Sequence, residues 1–365
     1  MKLFKSILTK FFIAGILLSL SACLFDSNPS LEDVQGAKLF VVTSDYKSGV
    51  LRSYSLDGLK KGGDSLEISQ DSRVLNLGGF IYVLERFLAD NILKYDPVNH
   101  KVLYEVHLGN GSNPSDIINW KNDIGFITLE DSAALLQFDT KNGTVMKSLD
   151  ISKYSHVGDS GTASSPNARN MAIKGDTLYV ALQRRNKDYM QAGGLSTILI
   201  INMNTFTIVD TLVAPGKNAD KLWIMNNTLF MSCPKAYGSK DVGAIYQWDL
   251  TSRKVMTTIT ETALGGGLNS VDCDLTGRCV AAIYIAWENV QVRRFDLISG
   301  KADANFLPGI TDAFGGAIVN PSNGFIYVGE RKKDGSGIIL FNDKGEKVLG
   351  PVTTGLPPSS LSILN

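Results

Sequence analysis

The sequence predicts an all-β chain, a seven-bladed β-propeller of four-stranded antiparallel blades closed by its own C-terminal strand. Three observations carry this expectation: a short strand, apolar on both faces, that recurs seven times; a second strand ending that recurs at a nearly constant interval; and a count of inner strands that falls one short until the C-terminus is included.

The first element reads KLFVV (38–42), FIYVL (80–84), IGFIT (124–128), TLYVA (177–181), TLFMS (228–232), CVAAI (279–283) and FIYVG (325–329). Aromatic residues recur at Phe40, Tyr82, Phe126, Tyr179, Phe230 and Tyr327, while the sixth copy uses small residues. Runs of this length bounded by turn formers suit strands covered on both sides. Strands sandwiched between neighbouring blades meet that requirement, whereas an ordinary sandwich would leave one polar face per strand.

The second element ends in an aromatic residue or Ile followed by Asp, Asn or Ser: RSYS (52–55), LKYD (93–96), LQFD (136–139), LIIN (199–202), YQWD (246–249), RRFD (293–296) and ILFN (339–342). Its last residues, at 55, 96, 139, 202, 249, 296 and 342, are separated by 41, 43, 63, 47, 47 and 46 residues. That period is one blade per repeat. The long interval holds two insertions, SHVGDSGTASSPNARN and QRRNKDYMQAGGLS. Turns such as TKNG and LTSR then lead into a fourth strand.

Inner strands are read at VLNL (74–77), IINW (117–120), MAIK (171–174), LWIM (222–225), VDCD (271–274) and AIVN (317–320). The repeat beginning at Lys38 has none before it, and SSLSILN at the C-terminus has no blade after it. Docking 360–365 beside 38–42 completes the ring and removes two open sheet edges.

Segments such as GFIYVGERKKDGSGIILFNDKGEKVLGPVTTGLPPSS resemble the repeats of YVTN-type (quinoprotein amine dehydrogenase-like) bacterial propellers, with a Gly-bounded Tyr-Val strand and an Asp-type strand end. The resemblance covers about residues 36–365. It implies the fold and an exported context but no single activity, because the superfold hosts many.

Outside the repeats, the N-terminus has its own logic. MKLFKSILTK carries three lysines and no acid, and FFIAGILLSL is an apolar run too short to span a bilayer. The run ends Leu20-Ser21-Ala22-Cys23, which resembles the bacterial lipobox. That resemblance implies a signal peptide over 1–22, lipidation of Cys23 and a short polar tether to residue 35. Several acyl chains hold a protein on a membrane stably where one does not. Leu24 after the cysteine implies the outer membrane if the cell has one.

Removing the signal takes away Lys2, Lys5 and Lys10, leaving 33 basic against 36 acidic residues. A near-neutral, slightly acidic chain lacks the electrostatic footprint of a nucleic-acid binder. Cys273 and Cys279 flank the turn DLTGR and are expected to form a disulfide in an oxidising compartment, and Cys233 is expected to be a buried small hydrophobe. The chain is expected to be monomeric.

Candidate functional residues divide between the two faces of the ring. Asp96, Asp139, Asp249 and Asp296 start turns on one face, where a carboxylate accepts backbone N–H bonds. The other face carries the blade links and longer loops. There Asp116, Arg169, Asn170, Asp220 and Asn269 are placed near the channel mouth. Around them lie Tyr46, Glu85, Arg86, Phe87, Glu130, Arg184, Arg185, Tyr189, Lys235, Tyr237, Trp287, Glu288, Glu330 and Arg331. Aromatic residues and Arg favour protein recognition, and aromatic platforms suit sugars. The partner-binding set is therefore read as Arg86, Asp116, Arg169, Arg184, Arg185, Tyr189, Tyr237, Trp287, Glu288 and Arg331, centred on blades 4 to 6, for a protein or glycan of the envelope.

Catalysis has little support in the sequence. His100, His107 and His156 have no local Ser, Cys or acid in a recognisable arrangement, and no cofactor cluster is visible. The alternative is a lactonase- or hydrolase-like propeller in which Glu85, Glu130, Asp116, Asn170 and Asn269 offer oxygens to a calcium ion at the channel.

Overall fold

The computed structural model describes residues 36, 38–159, 161–187, 193–235 and 240–364. They form a seven-bladed propeller in which each blade is an antiparallel sheet running outward from the central axis. Blade 1 orders as Pro358–Leu364, Lys38–Ser44, Gly49–Ser55 and Lys61–Ile68. Blade 2 follows with Ser72–Leu77, Phe80–Glu85, Asn91–Asp96 and Lys101–His107, and blade 3 with Pro114–Asn119, Ile124–Leu129, Ala134–Asp139 and Val145–Asp150. Blade 4 comprises Ala168–Lys174, Thr177–Leu182, Thr197–Asn202 and Thr207–Val213. Blade 5 comprises Leu222–Met225, Thr228–Cys233, Ala244–Asp249 and Val255–Thr260, and blade 7 Ala317–Val319, Ile326–Glu330, Gly337–Phe341 and Lys347–Thr353.

Blade 6 has three regular strands, Gly267–Cys273, Arg278–Ala286 and Asn289–Asp296. An extended segment fills its fourth position: the N–H groups of Asp303, Leu307 and Ala313 donate to the carbonyls of Arg294, Val292 and Val290 at 3.0, 2.8 and 2.8 Å. Pro308 and Gly309 fall within this segment. A proline cannot donate to a ladder and glycine weakens one, so the edge is held by isolated bonds.

The doubly apolar second strands explain why the blades stack. Side chains alternate across a strand, so each second strand feeds two interfaces. Leu39 and Val41 pack with Tyr327 and Leu340 of blade 7, while Phe40 and Val42 pack with Val74 and Ile81 of blade 2. Val280 and Ala282 likewise turn to blade 7, and Ala281 and Ile283 to blade 5. The buried apolar residues resolve into seven clusters, one in each gap between adjacent blades. Each fully buried aliphatic side chain contributes about 1.5–3 kcal/mol. No central core exists; the gaps between blades do that work.

The ring closes where the C-terminal strand pairs with Lys38–Ser44, with Leu39 opposite Ile363 and Val41 opposite Leu361. Leu361 and Leu364 enter the clusters on either side of blade 1. Cys273 and Cys279 lie opposite each other in the blade 6 hairpin and are joined by a disulfide, and Cys233 is free and buried. Among the described residues no helix is long and apolar enough to cross a membrane. Cys23 and the tether lie outside the described residues.

Candidate functional site

Links between blades enter the inner strands on one face, and there the seven inner strands surround a cavity of about 540 Å³. Strand register places one residue of each blade at an equivalent level around it: Ser360, Arg73, Asp116, Asn170, Lys221, Ser270 and Gly316, from blades 1 to 7 in order. In blades 1, 3 and 4 this residue tethers the next blade. Ser360 Oγ accepts from Val74 N at 3.2 Å, Asp116 Oδ2 from Met171 N at 2.8 Å and Asn170 Oδ1 from Leu222 N at 2.7 Å. Lys221 reaches blade 6 as a donor instead, to the Val271 carbonyl at 3.0 Å and Asp272 Oδ1 at 2.7 Å. Asp272 Oδ2 in turn accepts from Val319 N of blade 7 at 2.9 Å. The same polar residues therefore line the channel and stitch the blades together.

Beside the ring of tethers lies a cluster of charges. Glu130 Oε2 receives Arg169 Nη1 at 2.6 Å and Arg86 Nη2 at 2.9 Å, while Oε1 lies 3.0 Å from Arg185 Nη1. Arg169 also pairs with Asp220 at 3.0 Å, and Arg86 with Asp71 at 3.5 Å. Burial alone would raise the Glu130 pKa, but Arg169, Arg86 and Arg185 hold it at about 2. Asp116 has no such escort: burial dominates and raises it to about 7, its hydrogen bonds notwithstanding.

Arg73 behaves differently from its neighbours. It lines the cavity, partly buried, yet makes no ion pair or side-chain hydrogen bond with the described residues. The nearby Arg169, burial and Arg86 together press its pKa down to about 9. Two further polar atoms of lining residues, Arg86 Nε and Ser270 Oγ, are also without partners.

Two aromatic residues, Tyr46 and Phe314, stand on the lining of the cavity. The Arg331 guanidinium lies 5.2 Å from the Tyr46 ring centre and 5.8 Å from that of Phe314, and donates to the Pro358 carbonyl at 3.1 Å. Tyr46, Phe87 and Trp287 are 66%, 55% and 83% exposed. These sit on blades 1, 2 and 6, so the described exposed aromatics extend beyond the blades 4 to 6 expected from the sequence. Tyr189 and Tyr237 lie outside the described residues.

Of the residues expected near the mouth, Asp116, Arg169, Asn170, Asp220 and Asn269 all line the cavity, as do Arg86 and Arg331. Arg184 does not. Its Nε donates to the Tyr154 carbonyl at 2.9 Å and its Nη1 to that of Leu195 at 3.1 Å, tying down the blade 4 insertions. Arg185 is part of the Glu130 cage, and Glu288 sits at the blade 6 hairpin tip with φ 55°. Of the five residues offered for calcium, Asp116, Asn170 and Asn269 line the cavity. Glu85 accepts from Ser69 N and Asn91, and Glu130 is enclosed by guanidinium groups. Among the described residues no group of three or more His, Cys, Asp or Glu could hold a metal ion.

His100 does have an acidic neighbour, one invisible in local sequence. Its Nδ1 lies 2.6 Å from Asp64 Oδ1, to which Tyr95 also donates at 2.6 Å; Ser53 and Lys38 donate to Oδ2. Burial would raise the Asp64 pKa, yet these four partners hold it at about 2. Serine and histidine both point at the carboxylate rather than at each other, so this is a satisfied buried acid and no nucleophile is activated.

Arg73, Ser270, Lys221 and Asp272 were absent from the sequence-based set. Arg73 had a usable signal: aligning SRVLNL beneath SDIIN and RNMAIK puts it in register with Asp116 and Asn170.

No protein-family model and no curated protein matches the chain. Solved structures do resemble it. The apo structure of AztD from Citrobacter koseri has a TM-score of 0.58 at 12% identity, covering 90% of this chain and 97% of that one. A second structure of Citrobacter koseri AztD gives 0.59 at 11% identity with the same coverage. Kuenenia stuttgartiensis hydrazine synthase gives 0.58 at 11% identity, covering 83% and 94%. At these identities the likeness establishes the propeller fold and nothing about activity.

Proposed function

We propose that the chain is an exported lipoprotein, cleaved before Cys23 and tethered through 23–35, whose propeller acts without chemistry as a recognition or scaffold module. Its loop-rich face is the recognition surface for a protein or glycan of the cell envelope. One observation carries the reading: residues from all seven blades converge on one open cavity, with exposed Tyr46 and Phe314 on its lining and exposed Phe87 and Trp287 on second-to-third strand loops of the same face. Ligand sites are typically concave, mixing apolar walls with a few placed polar groups, and aromatic anchors with Arg are what recognition surfaces favour. The YVTN-type repeat pattern and the lipobox-like LSAC support an envelope setting.

The test is crosslinking capture from native envelopes with the wild type, a Tyr46→Ala, Phe87→Ala, Trp287→Ala variant, and a Val98→Ala, Leu275→Ala variant. Val98 and Leu275 are exposed in turns of the opposite face. The reading expects a partner captured by the wild type and the turn-face variant but lost from the aromatic variant. Capture that survives in the aromatic variant, or no partner at all, contradicts it.

A further inference from the structure

We propose that the mouth of the central channel binds a carboxylate group and that Arg73 receives it. The inference rests on the reading of the loop-rich face as a recognition surface and names the chemistry recognised there.

Every other cation on the lining is engaged. Arg86 and Arg169 are paired with carboxylates, Lys221 with Asp272, and Arg331 with the Pro358 carbonyl. Arg73 alone has no partner among the described residues. A guanidinium carries five N–H donors and no acceptor, and no Arg73 nitrogen is sealed away from the cavity, so its donors stay available there. The position itself makes the choice of residue informative. Of its six equivalents, Ser360, Asp116 and Asn170 accept a backbone N–H from the next blade, Lys221 donates across the same gap, and Ser270 and Gly316 make no such tether. An arginine cannot accept, so blade 2 forgoes that tether, and among the described residues the Arg73 side chain makes no hydrogen bond or ion pair in return. Departures from local consistency without a structural return mark functional sites.

The charge balance narrows the ligand. The five side-chain cations of the lining, Arg73, Arg86, Arg169, Lys221 and Arg331, face the four carboxylates Asp71, Asp116, Asp220 and Asp272, and the adjoining Glu130 and Arg185 cancel, a surplus of one positive charge when Asp116 is ionised. One surplus charge suits a monoanion. A planar carboxylate can take two parallel N–H bonds from one guanidinium, whereas a phosphate dianion would meet four carboxylates with only one excess cation. The depressed pKa of Arg73 reports the same field, set first by Arg169, that an arriving anion would relieve. The exposed rim leaves room for the carboxylate to belong to a small acid or to a peptide.

The experiment titrates the full chain in detergent micelles, by calorimetry, with acetate, succinate, inorganic phosphate, and the tripeptide Ala-Phe-Ala carrying a free or an amidated C-terminus. The proposal expects saturable binding of carboxylate probes, loss on amidation, and at least about tenfold weaker binding in Arg73→Gln. Arg278→Gln, on the opposite face, leaves affinity unchanged. Succinate against the free tripeptide then decides between a small acid and a peptide terminus. Phosphate binding tighter than every carboxylate, equal binding by a folded Arg73→Gln, or no saturation up to about 10 mM overturns the proposal. Thermal unfolding of Arg73→Gln verifies that a loss of binding is not a loss of fold. Partner capture reads the broad rim and the titration reads the channel alone, so failure of one leaves the other standing.

Discussion

The repeated aspartates of the turn face and the carboxylates Glu130 and Asp116 at the channel mouth are held in opposite ways. On the turn face, Asp96 accepts from Val98 N at 2.9 Å, Asp139 from Lys141 N at 2.7 Å, Asp249 from Ser252 N at 2.6 Å and Asp296 from Ser299 N at 2.7 Å. Each carboxylate is held first by N–H groups of its own turn. On the loop-rich face the partners belong to other blades: Glu130 to Arg169, 39 residues on, and Asp116 to Met171, 55 residues on. The first arrangement repeats because every blade needs a turn. The second varies around the ring: one tether recurs in blades 1, 3 and 4, while the Glu130 cage occurs once among the described residues.

The difference predicts a ranking. Glu130→Gln has the largest effect, because it leaves Arg169, Arg86 and Arg185 around a neutral group. Breaking a buried pair by removing one partner costs about 3–5 kcal/mol, and a fall in the urea midpoint measures it. The pH dependence has a definite sign. Glu130 is held well below its ordinary value of 4.5, at about 2, so its contribution is complete above about pH 4.5 and disappears as pH falls through 2. Acid unfolding curves of the wild type should show that loss, and those of Glu130→Gln should not.

Asp116 sharpens the comparison by running the other way. Its pKa rises from 3.8 to about 7, so the folded chain binds this proton more tightly than the unfolded one. Stability from this group therefore declines as pH rises from about 4 to 7. Asp116→Asn keeps an oxygen for Met171 N, as Asn170 already does for Leu222 N, and removes the charge. It should raise stability at pH 8 by about 1 kcal/mol or more and flatten the dependence between pH 5 and 8. A destabilised Asp116→Asn at pH 8 would mean that the ionised form is needed.

Asp249→Ala on the turn face should move the urea midpoint far less than Glu130→Gln. Its side chain organises only an exposed turn, and an equal loss would erase the distinction between the faces. Trp287→Ala should leave the midpoint within error, since the side chain is 83% exposed, while changing partner capture.

These contrasts explain what was legible beforehand. Period, apolar pattern and strand count declared the ring and its closure, because every blade repeats the same packing problem. The turn aspartates were legible because their partners lie two or three residues away. Asp64 was not: its partners Ser53, Tyr95, His100 and Lys38 come from strands and turns of two blades. Arg184 looked like an exposed recognition residue but is consumed by carbonyls of the blade 4 insertions. Residues at the channel mouth could be placed there from blade-link alignment. Which of them were already paired could not, because each partner arrives from another repeat. Arg73 stands out only once the pairs around it are known.

That makes Arg73 the most direct point of test. The account holds that Arg169 supports the structure and Arg73 is kept for a ligand. Urea unfolding of Arg73→Gln, measured beside Arg169→Gln without added anions, separates the roles. The account predicts a midpoint for Arg73→Gln at or above that of the wild type, because an uncompensated and repelled cation has been removed, with a clear fall for Arg169→Gln. A fall in Arg73→Gln as large as that in Arg169→Gln would show that Arg73 supports the ring itself, and the channel mouth would lose its free cation.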